Sequence, residues 1–356
     1  MNKDKIGWIR AQLKKEGLDA VLICSKDNIT YLTGYPNFSE KEREAYIFAG
    51  YDFAYIITDA RYTHEVKTQV TDLEIFERSH SNPTEKLFKK HKIKILGVEE
   101  DNLTISEHKY FKKHFKKIKH IDLGNFRSVK TEDEIKKIEK ACDIGDLAFK
   151  YIVKKIKEGV SEKELAGELE NFIRSKGAVL SFPTIVAFGK NSAIPHHHTS
   201  DDKLDGNSQF ILFDFGVKFE NYCSDMTRTV FFGSPDKNQI KMYETVLGVQ
   251  QKVVNAVNSG ERKTSRIFKI ADKFIKSKGF QGLPHSLGHG IGLEVHEHPS
   301  LSLKSKEVLK EGMVFSIEPG IYLSDFGGIR IEDLFVLEKT GLRQLTKSSK
   351  NLMVLY

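Results

Sequence analysis

Apolar and polar positions repeat with two different periods along the chain. Short apolar runs at LDAVLICS (18–25), AYIFAG (45–50), FAYIITDARY (53–62) and KIKILGVEED (92–101) have the length and branched content of strands. The last of the series is expected at HIDLG (120–124), and NITYLTGY (28–35) reads as a turn into a helix or loop. Strands alternating with helices predict a small α/β domain over residues 1–125. The pattern then changes. Thr131-Glu132-Asp133-Glu134 is a capping box, followed by helix-periodic apolar positions through Tyr151. Ser161-Glu162-Lys163-Glu164 is a second one, and Gly177 closes its helix. Two further helices are expected from near Pro235 and from near Thr264, the second ending at Lys278-Gly279. A helix pair thus precedes the strands of 182–231, and another precedes those of 283–338. This order predicts a pseudo-symmetric α+β domain over 126–356 with its site between the two halves.

Bulk properties narrow the class. A chain of 356 residues suits two domains. No apolar run approaches the roughly 18 residues a membrane span requires. The start of the chain is charged and helix-patterned through Ile6, Ile9 and Leu13, unlike a secretory signal. Cys24, Cys142 and Cys223 are too few and too scattered for a disulfide framework or a zinc site, which suits a reducing cytoplasm. Cys223 has no dedicated base nearby and makes a poor nucleophile. The net charge of +7 is mostly lysine, concentrated over 84–120. No nucleic-acid reader motif or stacking platform accompanies it, so these lysines read as solvated helix faces, and no nucleic-acid partner is expected.

The chemistry lies in five short strings: LFDFG, CSDMTRT, SLGHGIG, SIEPG and GIRIED, which carry Asp214, Asp225, His289, Glu318 and Glu332. Carboxylates bridge and chelate hard divalent ions, and a histidine adds a nitrogen suited to first-row metals. Four carboxylates also balance the charge of two M²⁺ ions. Singly, each residue has a plain structural explanation; together the five point to a two-metal hydrolase. FILFDFGVKFENYCSDMTRTVFFG reads as a hairpin. A turn at Lys218–Asn221 sets Asp214 directly opposite Asp225, about 5 Å apart, where two carboxylates repel unless a cation lies between them. SIEPGIYLSDFGGIRIED repeats the device with Glu318 and Glu332 on its two arms and a bend near Ser324–Gly328; Pro319 marks a strand irregularity. Gly288, Gly290 and Gly292 are expected to let the backbone around His289 pass close to the metals.

These strings resemble the metallopeptidases of the pita-bread fold: methionine aminopeptidase, aminopeptidase P and prolidase. The resemblance covers residues 126–356, with all five motifs in family order. DAVLICSKDNITYLTGY and YIITDARY resemble the creatinase-like N-terminal domain of the Xaa-Pro peptidases, which bacterial-type methionine aminopeptidases lack. The resemblance implies two divalent ions, Mn²⁺ first and Co²⁺, Zn²⁺ or Fe²⁺ as alternatives, held by Asp214, Asp225, His289, Glu318 and Glu332. It implies a peptide or dipeptide substrate with proline in second position, and a homodimer. It gives Glu318 the shuttling of the water's proton, makes His196, in the NSA-x-PH string, the substrate-side histidine, and has His296 bind and polarise substrate. His285 is expected to support the ligand shell. Arg330 either reaches the substrate or pairs with a nearby acid, with the resemblance favouring substrate. Phe182 and Ile291 either line the pocket for the residue before the scissile bond or belong to the core. His197, His198 and His298 receive no role. One departure bears on specificity. Several family members carry arginine straight after the proline of HE-x-P, where this chain has Ser300. Its absence favours an Xaa-Pro aminopeptidase, with an Xaa-Pro dipeptidase as the alternative. A non-catalytic peptide-binding module on the same fold would not need the five ligands.

Overall fold

Ala20 to Ile23 are four consecutive buried residues, the mark of a central strand covered on both faces. In the computed structural model, which describes residues 4–39, 42–205 and 209–356, this strand (β1) lies inside a six-stranded mixed sheet. The others are β2 (Tyr46–Gly50), β3 (Ala54–Thr58), β4 (Glu74–Glu77), β5 (Ile95–Val98) and β6 (Lys117–His120), in the order β4-β3-β2-β1-β5-β6. Only β2 runs against its neighbours, joined to β3 by a tight connection that pairs Ala49 with Ala54. Leu22, Phe48, Ile57, Leu96 and Val98 pack under Phe88 and Phe111 to form the core of this unit. The strand expected at 120–124 instead occupies Lys117–His120, and β4 is an addition to the expected set. Both are edge strands with exposed ends, so neither carries the apolar run by which central strands are recognised.

The chain divides into two compact units between Gly124 and Asn125. In the second unit the expected helices form over Glu132–Ile152, Glu162–Ser175, Lys237–Asn258 and Thr264–Ser277. Reciprocal capping boxes start the first two: Thr131 Oγ1 accepts from the Glu134 amide, and the Glu134 carboxylate accepts from the Thr131 amide. Asp236, not Pro235, caps the third helix through the amides of Asn238 and Gln239.

Each helix pair packs on its own sheet. In the first, Ile144, Leu165 and Leu169 meet Phe213 and Val230. In the second, Val246 and Ile267 meet Phe315 and Phe335. The first sheet is ordered Val354–Leu355, Met226–Phe232, Gln209–Phe215, Ile185–Phe188. The second is ordered Glu297–Ser300, His289–Gly290, Val314–Ile317, Asp333–Glu338, Gly341–Gln344. Strand Met226–Phe232 stitches the two halves together. The Glu332 amide donates to Thr227 O (3.1 Å), and Thr229 Oγ1 exchanges bonds with the Arg330 backbone. The guanidinium of Arg228, almost wholly buried, donates to Asp333 Oδ1 (2.6 Å) and to the Glu332 carbonyl across the seam. Among the described residues no helix is long and apolar enough to cross a membrane.

Candidate metal centre

Both hairpins lose their regular ladder at the residues that matter. In the first, Phe219 pairs with Tyr222 across a two-residue turn, with Glu220 (φ 45°) and Asn221 (φ 71°) in the left-handed region. The turn is tighter than expected, so the register moves by two residues and Asp214 lies opposite Thr227, not Asp225. A two-residue shift keeps side chains on their face. The ladder is interrupted at Gly216 and at Ser224-Asp225. There the chains approach so closely that a Cβ on Gly216 would stand 2.3 Å from Ser224 O. In the second hairpin Ile317 pairs with Asp333 and Gly320 with Arg330, but Glu318 and Glu332 between them belong to neither ladder. The Glu318 amide bonds outward to Leu287 O (2.8 Å) and the Glu332 amide to Thr227 O. Pro319 sits in this opening, where the irregularity was expected.

The glycines flanking His289 meet neighbouring backbone. A Cβ on Gly288 would lie 2.0 Å from Ser316 O, and one on Gly290 would lie 2.1 Å from His298 O. Their missing side chains let strand His289–Gly290 sit against neighbouring backbone.

Asp225, His289 and Glu332 each offer one ligand atom, all within 4.8 Å of one another, and all three residues are buried. The His289 Nδ1 faces Gly290 O at 3.1 Å. A carbonyl only accepts, so Nδ1 carries the proton and Nε2 presents its lone pair. That nitrogen lies 3.3 Å from Glu318 Oε1 and 3.6 Å from Asp225 Oδ2. Burial depresses the His289 pKa and favours the neutral ring. A lone pair aimed at carboxylate oxygens is repulsive unless a cation lies between them. Asp225 Oδ1 and Glu332 Oε1 are also buried and without a hydrogen-bond partner among the described residues. Burial, then Glu332, Asp214 and Glu318, push the Asp225 pKa well above the ordinary carboxylate range, and burial with Glu318 and Asp214 does the same to Glu332. Burial raises Glu318 as well, against the pull of His285 and Arg330. Orphaned oxygens, mutual repulsion and an inward lone pair are the signature of a donor set built for divalent cations.

Asp214 completes the acidic wall, with its carboxylate bound to Arg330. Arg330 Nη2 donates to Asp214 Oδ2 (2.6 Å), Nε to Thr227 Oγ1 (2.9 Å) and Nη1 to the Tyr322 hydroxyl (2.8 Å). Of its two expected roles, pairing with a nearby acid is the one observed. Burial works against its charge, but Tyr322 and the carboxylates of Asp214, Glu318 and Glu332 prevail and raise its pKa. Asp214, Asp225, His289, Glu318 and Glu332 line one cavity of about 690 Å³, together with Phe182, His196, His198, His285, His296 and Arg330. The His296 ring stands edge-on to His289 with centroids 4.3 Å apart. His285 Nδ1 faces Ser286 O (2.7 Å), so its Nε2 accepts from the Tyr322 hydroxyl (3.0 Å). Ile291 is fully buried and lies off the cavity, so it belongs to the core.

The bonds of the remaining residues are plain in the structure. His197 also borders the cavity, but its Nε2 is bound to Glu162 (2.8 Å). His298 pairs with Glu307 Oε1 (2.9 Å), and the Ser300 amide donates to the other oxygen of the same carboxylate (2.7 Å). Cys223 is buried with its thiol on Leu293 O (3.4 Å).

Residues 136–339 match the model described as Metallopeptidase family M24, and residues 5–129 match that of the Creatinase/Prolidase N-terminal domain. The chain belongs to metallopeptidase family M24. Several relatives match over nearly the whole length. An Xaa-Pro dipeptidase of Pyrococcus horikoshii is 35% identical over 362 residues, covering 98% of this chain and 99% of the relative. The structure of an Xaa-Pro dipeptidase from Bacillus anthracis superimposes with a TM-score of 0.92 at 33% identity, covering 99% of each chain. An X-Pro aminopeptidase from Thermotoga maritima gives 0.86 at 34% identity, covering 99% of this chain and 100% of that one. The α+β fold with its creatinase-like first domain is therefore that of the family, and the family's chemistry is metal-dependent, with divalent ions. The relatives favour dipeptidase over the aminopeptidase that Ser300 suggests.

Several residues that organise the site are absent from the sequence reading. Thr227 Oγ1 donates to Glu332 Oε2 (2.8 Å) while accepting from Arg330. Ser316 Oγ accepts from the His289 amide (3.0 Å) and donates to Glu318 Oε1 (3.2 Å). Tyr322 links His285 to Arg330. Ser316 is the one polar residue on the strand Val314–Ile317, and that placement was the available signal; Thr227 stands beside Arg228 and Thr229 and carried none.

Proposed function

We propose that this chain is an Xaa-Pro dipeptidase, working in the cytoplasm as a homodimer, with two divalent metal ions, Mn²⁺ first among them. The single observation that carries the reading is the convergence of Asp225, His289 and Glu332, with a histidine lone pair and two unsatisfied carboxylate oxygens turned on one another. Asp214, Asp225, His289, Glu318 and Glu332 are the ligands in this reading, and residues 126–356 are the catalytic domain behind a creatinase-like domain of 1–125. When bound, the ions supply Lewis acidity and a water made acidic enough to react near pH 7.

The chain's own groups do the rest. Glu318 takes the proton of the attacking water and returns it to the leaving proline nitrogen. Without a proton that nitrogen is a poor leaving group. His296, edge-on to His289, and His196, on the same cavity lining, hold and polarise the scissile carbonyl. Phe182 offers an apolar wall to the residue before the proline. Arg330 orients Asp214, and its fork is the cationic group that lines the cavity for the substrate's carboxylate in this reading. The three cysteines are buried and in no disulfide, which suits a reducing compartment.

The test is hydrolysis of Ala-Pro by protein stripped with a chelator and reloaded with Mn²⁺, Co²⁺ or Zn²⁺. Activity should vanish on stripping, return on reloading, and be absent from Asp225→Asn under every metal. Undiminished hydrolysis by verified metal-free protein would refute the reading.

A further inference from the structure

Glu162 is the most heavily used carboxylate in the second unit that takes no part in the metal centre. It opens the helix Glu162–Ser175 directly after its Ser161 cap and is fully buried. Its Oε1 accepts from the Phe188 amide (2.8 Å) and from Asn191 Nδ2 (2.9 Å). Its Oε2 accepts from His197 Nε2 (2.8 Å), the Ser200 amide (2.7 Å) and the Ser200 hydroxyl (2.8 Å). Every donor lies between residues 188 and 200, the segment that crosses the cavity wall and carries His196.

Other bonds anchor the same segment: Asn191 Nδ2 also donates to Asp202 Oδ2 (2.8 Å), and Arg330 Nη1 donates to Pro195 O (3.5 Å). Thr199 Oγ1 ties it to the strand Ile185–Phe188 through Val186 N (3.0 Å), and the Gly328 amide donates to Ser192 Oγ (2.7 Å). Glu162 grips both sides of His196 with the larger share of these bonds, through Asn191 before it and through His197 and Ser200 after it. The NSA part of the string therefore faces the scaffold: Asn191 to Glu162, and Ser192 to the strand Gly327–Arg330.

We infer that Glu162 is a positioning residue for catalysis: its buried carboxylate fixes the segment that presents His196 to the substrate. A buried carboxylate holding five donors is a rigid clamp, since each donor loses its partner if the segment shifts. The donors fix the requirement for an anion. A glutamine here would turn an amide N–H₂ toward groups that are themselves donors, on one side or the other. Displacement of about 1 Å at a reacting group costs on the order of 100-fold in rate. The inference rests on the proposed substrate role of His196.

A double-mutant cycle tests it, on the full-length Mn²⁺-loaded protein with Ala-Pro as substrate and bound metal and thermal unfolding measured in parallel. Glu162→Gln should lower kcat/KM by roughly 10- to 100-fold while metal content stays at the wild-type level. In the His196→Ala background the same change should cost less than about twofold, because the group it positions is gone. If Glu162→Gln does not fold, His197→Ala, which removes one donor and leaves the clamp, takes its place in the same cycle with a smaller loss and the same disappearance. Equal losses in both backgrounds, or no loss in the wild-type background, would overturn the inference alone. A silent His196→Ala would overturn the substrate role of His196 and this inference with it.

Discussion

Neutralising one metal ligand should stabilise the metal-free protein while destroying the enzyme. Glu332→Gln keeps the shape of the side chain and an oxygen for the Thr227 hydroxyl. It removes one of the charges that raise each other's pKa in the buried cluster. Two unit charges within 4.8 Å of each other repel by at least about 3 kcal/mol at an effective dielectric of about 20. Proton uptake by the raised carboxylates already relieves part of this near neutral pH, leaving about 1–3 kcal/mol to be recovered. For a unit the size of Asn125–Tyr356, that is a rise in Tm of about 2–12 °C. The pH dependence has a definite sign. A carboxylate whose folded pKa is raised binds more protons folded than unfolded between the two values. Stability therefore falls as pH rises from about 4.3 through the raised range. This fall should be shallower in Glu332→Gln. With Mn²⁺ at 100 times its Kd, the wild type gains about 2.7 kcal/mol, and the variant, one ligand short, gains less. The assay is thermal unfolding of both proteins in chelator and in Mn²⁺, across pH 5–8. A variant less stable than the wild type in chelator would refute the reasoning, because it would mean the carboxylates are satisfied without a cation.

Two further outcomes follow from the packing. Gly288→Ala drives a Cβ to 2.0 Å from Ser316 O, so the strand bearing His289 must move; a loss of about 1–3 kcal/mol with weakened metal retention is expected, read by unfolding and by metal analysis. Glu297 is buried between Lys130 Nζ (3.0 Å) and Arg127 Nη2 (3.3 Å), and these cations overcome burial to hold its pKa below the usual range. Its contribution is present above about pH 4.3 and lost as pH falls through the lowered value, and Glu297→Gln should cost about 3 kcal/mol at pH 7 by denaturant unfolding.

What could be read in the sequence was set by local rules. Capping boxes at Thr131 and Ser161 placed two helices because their partners lie three residues away. The central strand Ala20–Ile23 was legible because burial on both faces leaves a continuous apolar run. The edge strands Glu74–Glu77 and Lys117–His120 lack that run, so one went unseen and the other was displaced. The hairpin of Asp214 and Asp225 was recognised, but its register depended on Glu220 and Asn221 both adopting positive φ, which asparagine favours and glutamate does not announce. In the candidate site, acids and histidines stood out by their type. The hydroxyls of Thr227, Ser316 and Tyr322 did not, because their use depends on partners 2 to 105 residues away. Arg330 shows the same limit: its two readings differ only in whether Asp214 lies within reach.

The most direct test of the central claim is to offer the Mn²⁺-loaded protein Ala-Pro, Ala-Pro-Ala and Met-Ala-Ala separately and identify the products. An Xaa-Pro dipeptidase releases alanine and proline from Ala-Pro and leaves both tripeptides intact. Cleavage of Ala-Pro-Ala with Ala-Pro untouched, or of Met-Ala-Ala alone, would contradict the account.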